Sequence, residues 1–103
     1  MDLNLDPPRR DRLAALCRQY FVRRLDVFGS AARGTFDEVR SDIDVLVEFG
    51  PDADRAYVDT WFGLRDALQD FFGRSVDLVT VSAIRNPYFR KSMEKSRHTL
   101  YAA

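Results

Sequence analysis

The sequence predicts a two-layer α+β domain in which a mixed β-sheet is covered by helices. Its 103 residues fit one domain, so we expect residues 1–103 to form a single unit. Hydrophobic residues make up 46% of the chain and aromatic residues 13%, which is enough apolar material for a folded core. Helical and strand periods alternate along the chain in the order α-β-loop-β-α-β-α, and a two-layer arrangement is the simplest way to pack them.

The first third of the chain predicts one helix, one strand and a loop. Asp6 precedes two prolines, which is typical of a helix start. The buried face of this helix is predicted from apolar side chains at helical spacing, namely Leu13, Leu16, Cys17 and Tyr20. A short strand follows with the apolar residues Leu25, Val27 and Phe28. Residues 29–41 are small or polar and contain two glycines, so they predict a loop or a short helical turn.

The middle of the chain predicts a second strand and a second helix. Apolar residues alternate with acidic or other residues from Asp42 onward, and the apolar set is Ile43, Val45, Val47 and Phe49. Gly50-Pro51 ends this strand. A helical stripe comes next, formed by Tyr57, Trp61, Leu64, Leu68 and Phe71 and widened by Val58 and Phe62. Gly73 is expected to end the helix with a left-handed cap.

The last third of the chain predicts a third strand and a final helix. The strand covers residues 75–81, with the sequence SVDLVTV. Asn86 and Pro87 are expected to be the cap and first residue of the final helix. We expect its buried side to carry Phe89, Met93 and Leu100.

Three aspartates on predicted strands are candidate metal ligands. Asp42 and Asp44 are two residues apart, so they project from the same face of a strand and repel each other. By themselves they are more typical of a solvated strand end than of a metal site. Asp77 lies between Val76 and Leu78, where a carboxylate is costly unless it is paired, metal-bound or on a solvent-facing side of the sheet. If the two strands are neighbours, the three carboxylates converge, and such oxygen ligands suit Mg²⁺.

A glycine and a serine follow the first strand directly. Glycine at position 29 allows the backbone to approach a phosphate group closely. The N–H groups that follow it and the Ser30 hydroxyl could donate hydrogen bonds to an anion. Gly-Ser alone is equally typical of an ordinary turn. The informative pattern is the combination of a strand, Gly-Ser, eleven residues, Asp-x-Asp in a second strand and one aspartate in a third.

This combination resembles the signature of the polymerase-β-like nucleotidyltransferase superfamily, and it is carried by the stretch FGSAARGTFDEVRSDIDVLVEF. More narrowly, the chain is similar to the minimal nucleotidyltransferases of prokaryotes, small domains that are often paired with a helical HEPN-type protein in toxin–antitoxin modules. The C-terminal run is also similar to members of that group, with the sequence IRNPYFRKSMEKSRHTLYAA. The resemblance implies a fold like the palm of polymerase β.

The resemblance also implies a role for individual residues. It makes Asp42 and Asp44 the ligands of two Mg²⁺ ions and Asp77 a third carboxylate, which holds the catalytic metal and helps to deprotonate the acceptor hydroxyl. The β- and γ-phosphates of ATP would be held by Gly29 and Ser30, with assistance from Arg33. The implied reaction transfers AMP from ATP to a hydroxyl and releases pyrophosphate. A carboxylate cluster and a phosphate loop are sufficient for such chemistry, in which positioning and charge compensation supply most of the catalysis.

Three hypotheses for the function of the chain are left open. In the first, the acceptor is a tyrosine of a HEPN-type toxin, with this chain as its antitoxin, because so small a domain leaves little room to enclose a second substrate. In the second hypothesis the chain is an antitoxin that neutralises its partner by binding alone. In the third it is a homodimer that adenylylates a small-molecule hydroxyl.

Composition narrows the possible environments and partners. The only cysteine, Cys17, excludes an internal disulfide and is expected to be a core residue rather than a nucleophile. The chain has neither an apolar signal core at its N-terminus nor an apolar run of ~20 residues, so we expect a soluble cytoplasmic protein. A net charge of +0 gives no general reason to expect binding to nucleic acid or membranes. The oligomeric state is not specified by the sequence.

The sequence also predicts whether several other residues lie in the core or at the surface. His98 is expected at the surface near a helix C-terminus. Four aromatic residues are expected in the core: Trp61, Phe62, Phe71 and Phe72. The final helix carries an excess of cations, which predicts either a solvated face or a surface for the triphosphate or an acidic partner; these are Arg85, Arg90, Lys91, Lys95 and Arg97.

Overall fold

The structure is a computed structural model that describes residues 6–29, 42–81 and 86–103, apart from a few side chains within them. These residues form three α-helices, one 3-10 helix and four strands. In chain order the elements are α1 (Pro7–Gln19), β1 (Val22–Phe28), β2 (Ile43–Phe49), the 3-10 helix (Pro51–Ala56), α2 (Tyr57–Phe72), β3 (Val76–Thr80), α3 (Pro87–Ser96) and β4 (His98–Ala102).

The four strands form one mixed sheet in the order β3-β2-β1-β4. β1 is antiparallel to both of its neighbours, and Val27 lies opposite Val45 of β2. β2 and β3 are parallel, because α2 carries the chain back across the sheet between them. The mixed sheet expected from the sequence is therefore confirmed.

One face of the sheet packs against α1 and α2. Cys17 of α1 and Leu64 of α2 are fully buried there against alternate residues of the strands, such as Val27 and Val45. Each fully buried aliphatic side chain of this size contributes about 1.5–3 kcal/mol. A smaller cluster lies on the opposite face and consists of Phe28 and Leu46, with Val79 and Val81 packed against them. The sheet and its covering helices form the two predicted layers.

Hydrogen bonds confirm the predicted starts of α1 and α3 and the predicted end of α2. The Asp6 carboxylate accepts a hydrogen bond of 3.0 Å from the Arg9 N–H at the start of α1. Gly73 ends α2 with a φ of 70°, and its N–H donates to the Gln69 carbonyl at 2.8 Å. The Asn86 side chain accepts from the Tyr88 N–H at 2.9 Å, just before α3 begins.

The prediction that the final helix extends to Leu100 is wrong. α3 ends at Ser96, and the next residues form β4, which pairs with the outer edge of β1. The physical reason is that β4 satisfies backbone groups of β1 that a helix could not reach. His98 is exposed as expected, but it is the first residue of this strand. The side chains of Phe89 and Met93 are not among those that the structure describes.

The four aromatic residues predicted for the core divide into two groups. Trp61, Phe71 and Phe72 are partly buried and pack against the main core. Phe62, by contrast, is 46% exposed, so its placement in the core is wrong. It lies on the far side of α2 from Leu64 and Leu68, which occupy the positions that face the sheet.

No helix in residues 6–29, 42–81 and 86–103 is both long enough and apolar enough to span a membrane.

Candidate active site

Two of the candidate carboxylates lie side by side at the beginning of β2 and β3. Asp44 and Asp77 are register partners in the parallel pair, so their side chains project from the same face. Neighbouring strands are about 4.8 Å apart. The Ile43 N–H donates to the Ser75 carbonyl at 3.0 Å and fixes this end of the pair. The structure therefore brings together two residues that are 33 positions apart in the sequence.

The carboxylates differ in their exposure. Asp44 is half-buried, whereas Asp42, which lies just before β2, and Asp77 are exposed. Asp77 therefore avoids the desolvation cost that a buried carboxylate would carry, because its side of β3 faces solvent. Its candidacy as a metal ligand depends on its position beside Asp44.

Gly29 lies directly against the Asp44 carboxylate. The antiparallel register places Phe28 opposite Asp44. The next residue, Gly29, therefore lies beside the group of carboxylates Asp42, Asp44 and Asp77, which we call the acidic row. Gly29 has a φ of 73°, and a Cβ atom at this position would lie 2.5 Å from Oδ2 of Asp44. A side chain here would have to displace the carboxylate as well as adopt a strained backbone conformation. The Asp44 carboxylate therefore requires glycine at position 29, a contact that the sequence alone did not predict.

The chemistry of these residues fits a divalent cation, but their side chains do not form a closed site. Carboxylate oxygens are the donors that Mg²⁺ prefers. Among the described residues, however, no three His, Cys, Asp or Glu side chains are gathered so that they could hold a metal ion. The Asp44–Asp77 pair is thus an open half-site, in which further oxygen ligands would have to come from elsewhere.

Some of the predicted site residues fall outside the described part of the chain. These are Ser30 and Arg33, which were assigned to phosphate binding, and Arg85 of the basic group.

Asp26 is a buried charged residue that the sequence analysis did not single out. Its side chain has no exposed surface, and it accepts hydrogen bonds from Nε of Arg24 at 3.2 Å and from Nε of Arg97. Nη2 of Arg24 also donates to Oγ1 of Thr99 at 3.1 Å. A sequence signal was present, since Asp26 lies between the apolar residues Leu25 and Val27, as Asp77 lies between Val76 and Leu78.

The basic residues near the C-terminus do not form a single group. Arg90, Lys91 and Lys95 are exposed on α3, in agreement with a solvated face. Arg97 lies beyond the helix, between α3 and β4, and is engaged with Asp26. Its assignment to the helical basic face is therefore wrong, because the buried carboxylate of β1 holds it against the sheet.

Cys17 is a core residue, as predicted. It lies on the side of α1 that packs against the sheet and is fully buried. Desolvation raises the pKa of its thiol to about 12, although the nearby Arg18 cation acts to lower it. A thiol with this pKa is almost entirely protonated at neutral pH and is a poor nucleophile.

A cavity of about 490 Å³ lies at the opposite end of β2 and β3 from the carboxylates. Glu48 and Phe49 line it on one side, and Tyr57 and Thr80 on the other. Glu48 is four residues after Asp44, which is about 13 Å along a strand. The cavity is therefore separate from the acidic row.

Comparison with known proteins gives a consistent family. A family model for the nucleotidyltransferase domain matches residues 10–100. Five proteins of Methanocaldococcus jannaschii, described as candidate protein adenylyltransferases, are similar in sequence. One is 46% identical over 80 residues, which cover 78% of each chain, and another is 39% identical over 77 residues, which cover 75% of each.

Solved structures give the same result. A structure described as a candidate minimal nucleotidyltransferase superposes with a TM-score of 0.72 and 34% identity, covering 95% of each chain. The fold also matches a chain in a structure of a tri-AMPylated Shewanella oneidensis HEPN toxin in complex with MNT antitoxin. The TM-score is 0.60 and the sequence identity 17%, and the match covers 93% of this chain and 71% of the matched chain. The chain therefore belongs to the nucleotidyltransferase domain family and has the fold of its minimal nucleotidyltransferases.

Proposed function

We propose that this nucleotidyltransferase transfers AMP from ATP to a tyrosine hydroxyl of a HEPN-type toxin and thereby acts as the antitoxin. The observation that carries the proposal is the adjacent pair Asp44–Asp77, with Gly29 packed against the first carboxylate. The relatives described as candidate protein adenylyltransferases support the reaction. The structural similarity to an MNT antitoxin supports the choice of partner.

Each candidate residue then has a distinct role. Asp42 and Asp44 would hold two Mg²⁺ ions, and when bound these ions would stabilise charge on the attacking and leaving oxygens of the transfer. The Asp77 carboxylate, which is exposed, would accept the proton of the acceptor hydroxyl. The hydroxyl oxygen bonds to the α-phosphorus of ATP as the bond to the bridging oxygen breaks and pyrophosphate departs. Gly29, Ser30 and Arg33 would hold the departing phosphates.

The open form of the site favours a protein as the acceptor. Asp42 and Asp77 are exposed, and the described cavities lie at the other end of the strands. Enclosed small-molecule sites usually occupy concave pockets of ~300–1,000 Å³. An exposed acidic row is instead accessible to a hydroxyl that projects from the surface of another protein.

Intact-mass spectrometry of the co-expressed HEPN-type neighbour tests this proposal. With the native chain and ATP, the neighbour should gain one or more AMP-sized additions, and peptide mapping should assign them to a tyrosine. The variant Asp44→Asn should abolish the additions while the protein remains folded. Asp11→Asn is a matched control, because this exposed aspartate lies on α1, on the opposite side of the sheet from the acidic row, and its loss should leave the additions unchanged.

Two results would contradict the proposal in different ways. An unmodified neighbour that is nevertheless bound and inhibited would identify a non-catalytic binding antitoxin. Transfer of AMP to a small alcohol, but not to the neighbour, would identify a small-molecule adenylyltransferase.

A further inference from the structure

The first half of α2 carries apolar side chains that the core leaves partly or largely exposed. These are Tyr57, Val58, Trp61 and Phe62, which we call the α2 surface. Val58 is 63% exposed, Phe62 46% and Tyr57 39%. Single exposed apolar residues are common, but a contiguous group that includes aromatic rings is typical of an interaction site.

The α2 surface is concave. Its four residues and Thr80 of β3 line a groove of about 200 Å³. The cavity of about 490 Å³ adjoins this groove, since both are lined by Tyr57 and Thr80. The Tyr57 ring packs edge-on against Phe49 with 5.5 Å between the ring centroids, so the wall that separates the two depressions is supported by the sheet. A partner could insert side chains on both sides of this wall.

The rim of the α2 surface is acidic. α2 carries three aspartates against a single arginine, and Asp59 and Asp66 are both exposed. The arginine, Arg65, is already engaged: Nη2 lies 3.3 Å from Oδ1 of Asp66, and the guanidinium lies 5.0 Å from the centroid of the Phe62 ring. By contrast, α1 carries four arginines against one aspartate. Of the two helices that cover the sheet, α2 is therefore acidic and α1 basic.

This charge distribution selects the class of partner. Nucleic acid and anionic membranes are repelled by an acidic rim. A second copy docked through the same surface would bring two acidic helices together. A protein with apolar side chains rimmed by lysine or arginine is complementary in both respects.

We propose that the α2 surface is the docking site for the protein that receives AMP, and that this protein contacts it through apolar side chains surrounded by lysine or arginine. The inference rests on the proposed function. Thr80 follows Asp77 by three residues and is the register partner of the core residue Val47, so it projects from the opposite face of β3. The docking site therefore begins about 10 Å along β3 from Asp77 and on the other side of this edge strand. A partner held there would reach the carboxylates around the edge of the sheet, so binding and chemistry use separate residues.

The experiment measures binding and AMP transfer separately, with the purified HEPN-type neighbour as the probe. Val58→Lys and Phe62→Ser should each raise the Kd for the neighbour about tenfold or more, since central apolar contacts contribute most of the binding energy. Asp66→Lys should weaken binding less and reduce its dependence on salt. Phe21→Ser is the matched control, because Phe21 is also 46% exposed but precedes β1. Its Kd should be that of the native chain, and melting curves should show that all four variants are folded.

The outcomes separate the docking site from the proposed function. If the native chain transfers AMP and the α2 variants bind with an unchanged Kd, the docking site is wrong and the function stands. If no AMP is transferred but Val58→Lys and Phe62→Ser weaken binding, the function is wrong and the docking site stands. If the native chain is a dimer that Val58→Lys dissociates, a second copy occupies the surface and the docking proposal is overturned. Absence of any binding to the native chain overturns both.

Discussion

At the scale of single residues, the contact between Gly29 and Asp44 leads to the first prediction. Gly29→Ala should reduce AMP transfer by about 100-fold, because the new Cβ would displace the Asp44 carboxylate, and displacements of about 1 Å at reacting groups have effects of this size. Steady-state transfer to the HEPN-type neighbour measures the loss.

Gly73→Ala is the control for backbone strain. Gly73 has a φ of 70°, almost the same as Gly29, but a Cβ atom there would meet nothing within 4 Å. Both substitutions should cost about 1–2 kcal/mol of stability through the left-handed conformation, and only Gly29→Ala should affect transfer. Equal activity in the two variants would show that the position of Asp44 is unimportant.

The burial of Cys17 gives a second prediction, on the pH dependence of stability. Burial raises the pKa of its thiol from the ordinary value of 9.0 to about 12 in the folded chain, so above pH 9 the unfolded chain releases a proton that the folded chain retains. The free energy of unfolding should therefore fall as the pH rises from 9 to 12, by up to about 1.4 kcal/mol per pH unit from this group.

Urea unfolding of the native chain and of Cys17→Ala isolates this contribution. Groups common to both proteins cancel in the difference between them. The stability advantage of the native chain should be constant below pH 9 and should shrink above it. A difference that does not change between pH 7 and pH 11 would contradict a buried, protonated thiol.

Residue-level reasoning from the sequence succeeded where a local pattern was sufficient. The caps at Asp6 and Gly73 depend on neighbours within four residues, and both were predicted. The ion pair of Asp26 was not predicted, although Asp26 has the same local pattern as Asp77. Its partner Arg97 is 71 residues away in the sequence. Local spacing cannot distinguish an aspartate paired inside the sheet from one that faces solvent.

At the scale of elements, the ion pair between Asp26 and Arg97 fastens the junction of α3 and β4 to β1. Arg97→Ala should lower the free energy of unfolding by about 3 kcal/mol, because it leaves a fully buried carboxylate with one partner fewer. Denaturant unfolding monitored by circular dichroism measures this loss.

Arg23→Ala is the corresponding control on the same strand. Arg23 lies 3.8 Å from Glu48, but both side chains are largely exposed, so this pair should contribute at most about 1 kcal/mol. Similar losses in the two variants would show that burial of Asp26 has no special effect.

The order of the three α-helices and of the first three strands followed from the sequence pattern, whereas β4 did not. Its five residues, HTLYA, are too few to show a period, and Leu100 also fits a helical continuation from the preceding residues. Pairing with β1 decides the outcome, and pairing is a tertiary effect. The prediction that Asp44 and Asp77 lie close together also depended on tertiary structure, because it required β2 and β3 to be neighbours in the sheet.

At the scale of the whole molecule, nucleotide and metal should stabilise the fold together. A non-hydrolysable ATP analogue with Mg²⁺ should raise the melting temperature, because a ligand at 100 times its Kd adds about 2.7 kcal/mol to the free energy of unfolding. Chelation of the metal with EDTA should abolish most of the shift, as should Asp44→Asn. Differential scanning fluorimetry is a suitable measurement.

Phe21→Ser provides the control for that shift. Phe21 is exposed and precedes β1, whereas the acidic row lies beyond the far end of that strand, so the variant should retain the full increase. A shift of equal size in Asp44→Asn would remove this residue from the nucleotide site.

The pairing of β4 with β1 also affects the protein while it is being synthesised. Arg97 leaves the ribosome 71 residues after Asp26, which takes about 4–14 s at ~5–20 residues per second. During that interval β1 can pair with β2 once residues 43–49 have been made, but its other edge has no strand beside it and the Asp26 carboxylate lacks its cation from Arg97. Such an edge can recruit strands from neighbouring nascent chains. Chaperone binding to ribosome-bound chains should therefore be strongest before residue 97 emerges and should decline once β4 has joined the sheet.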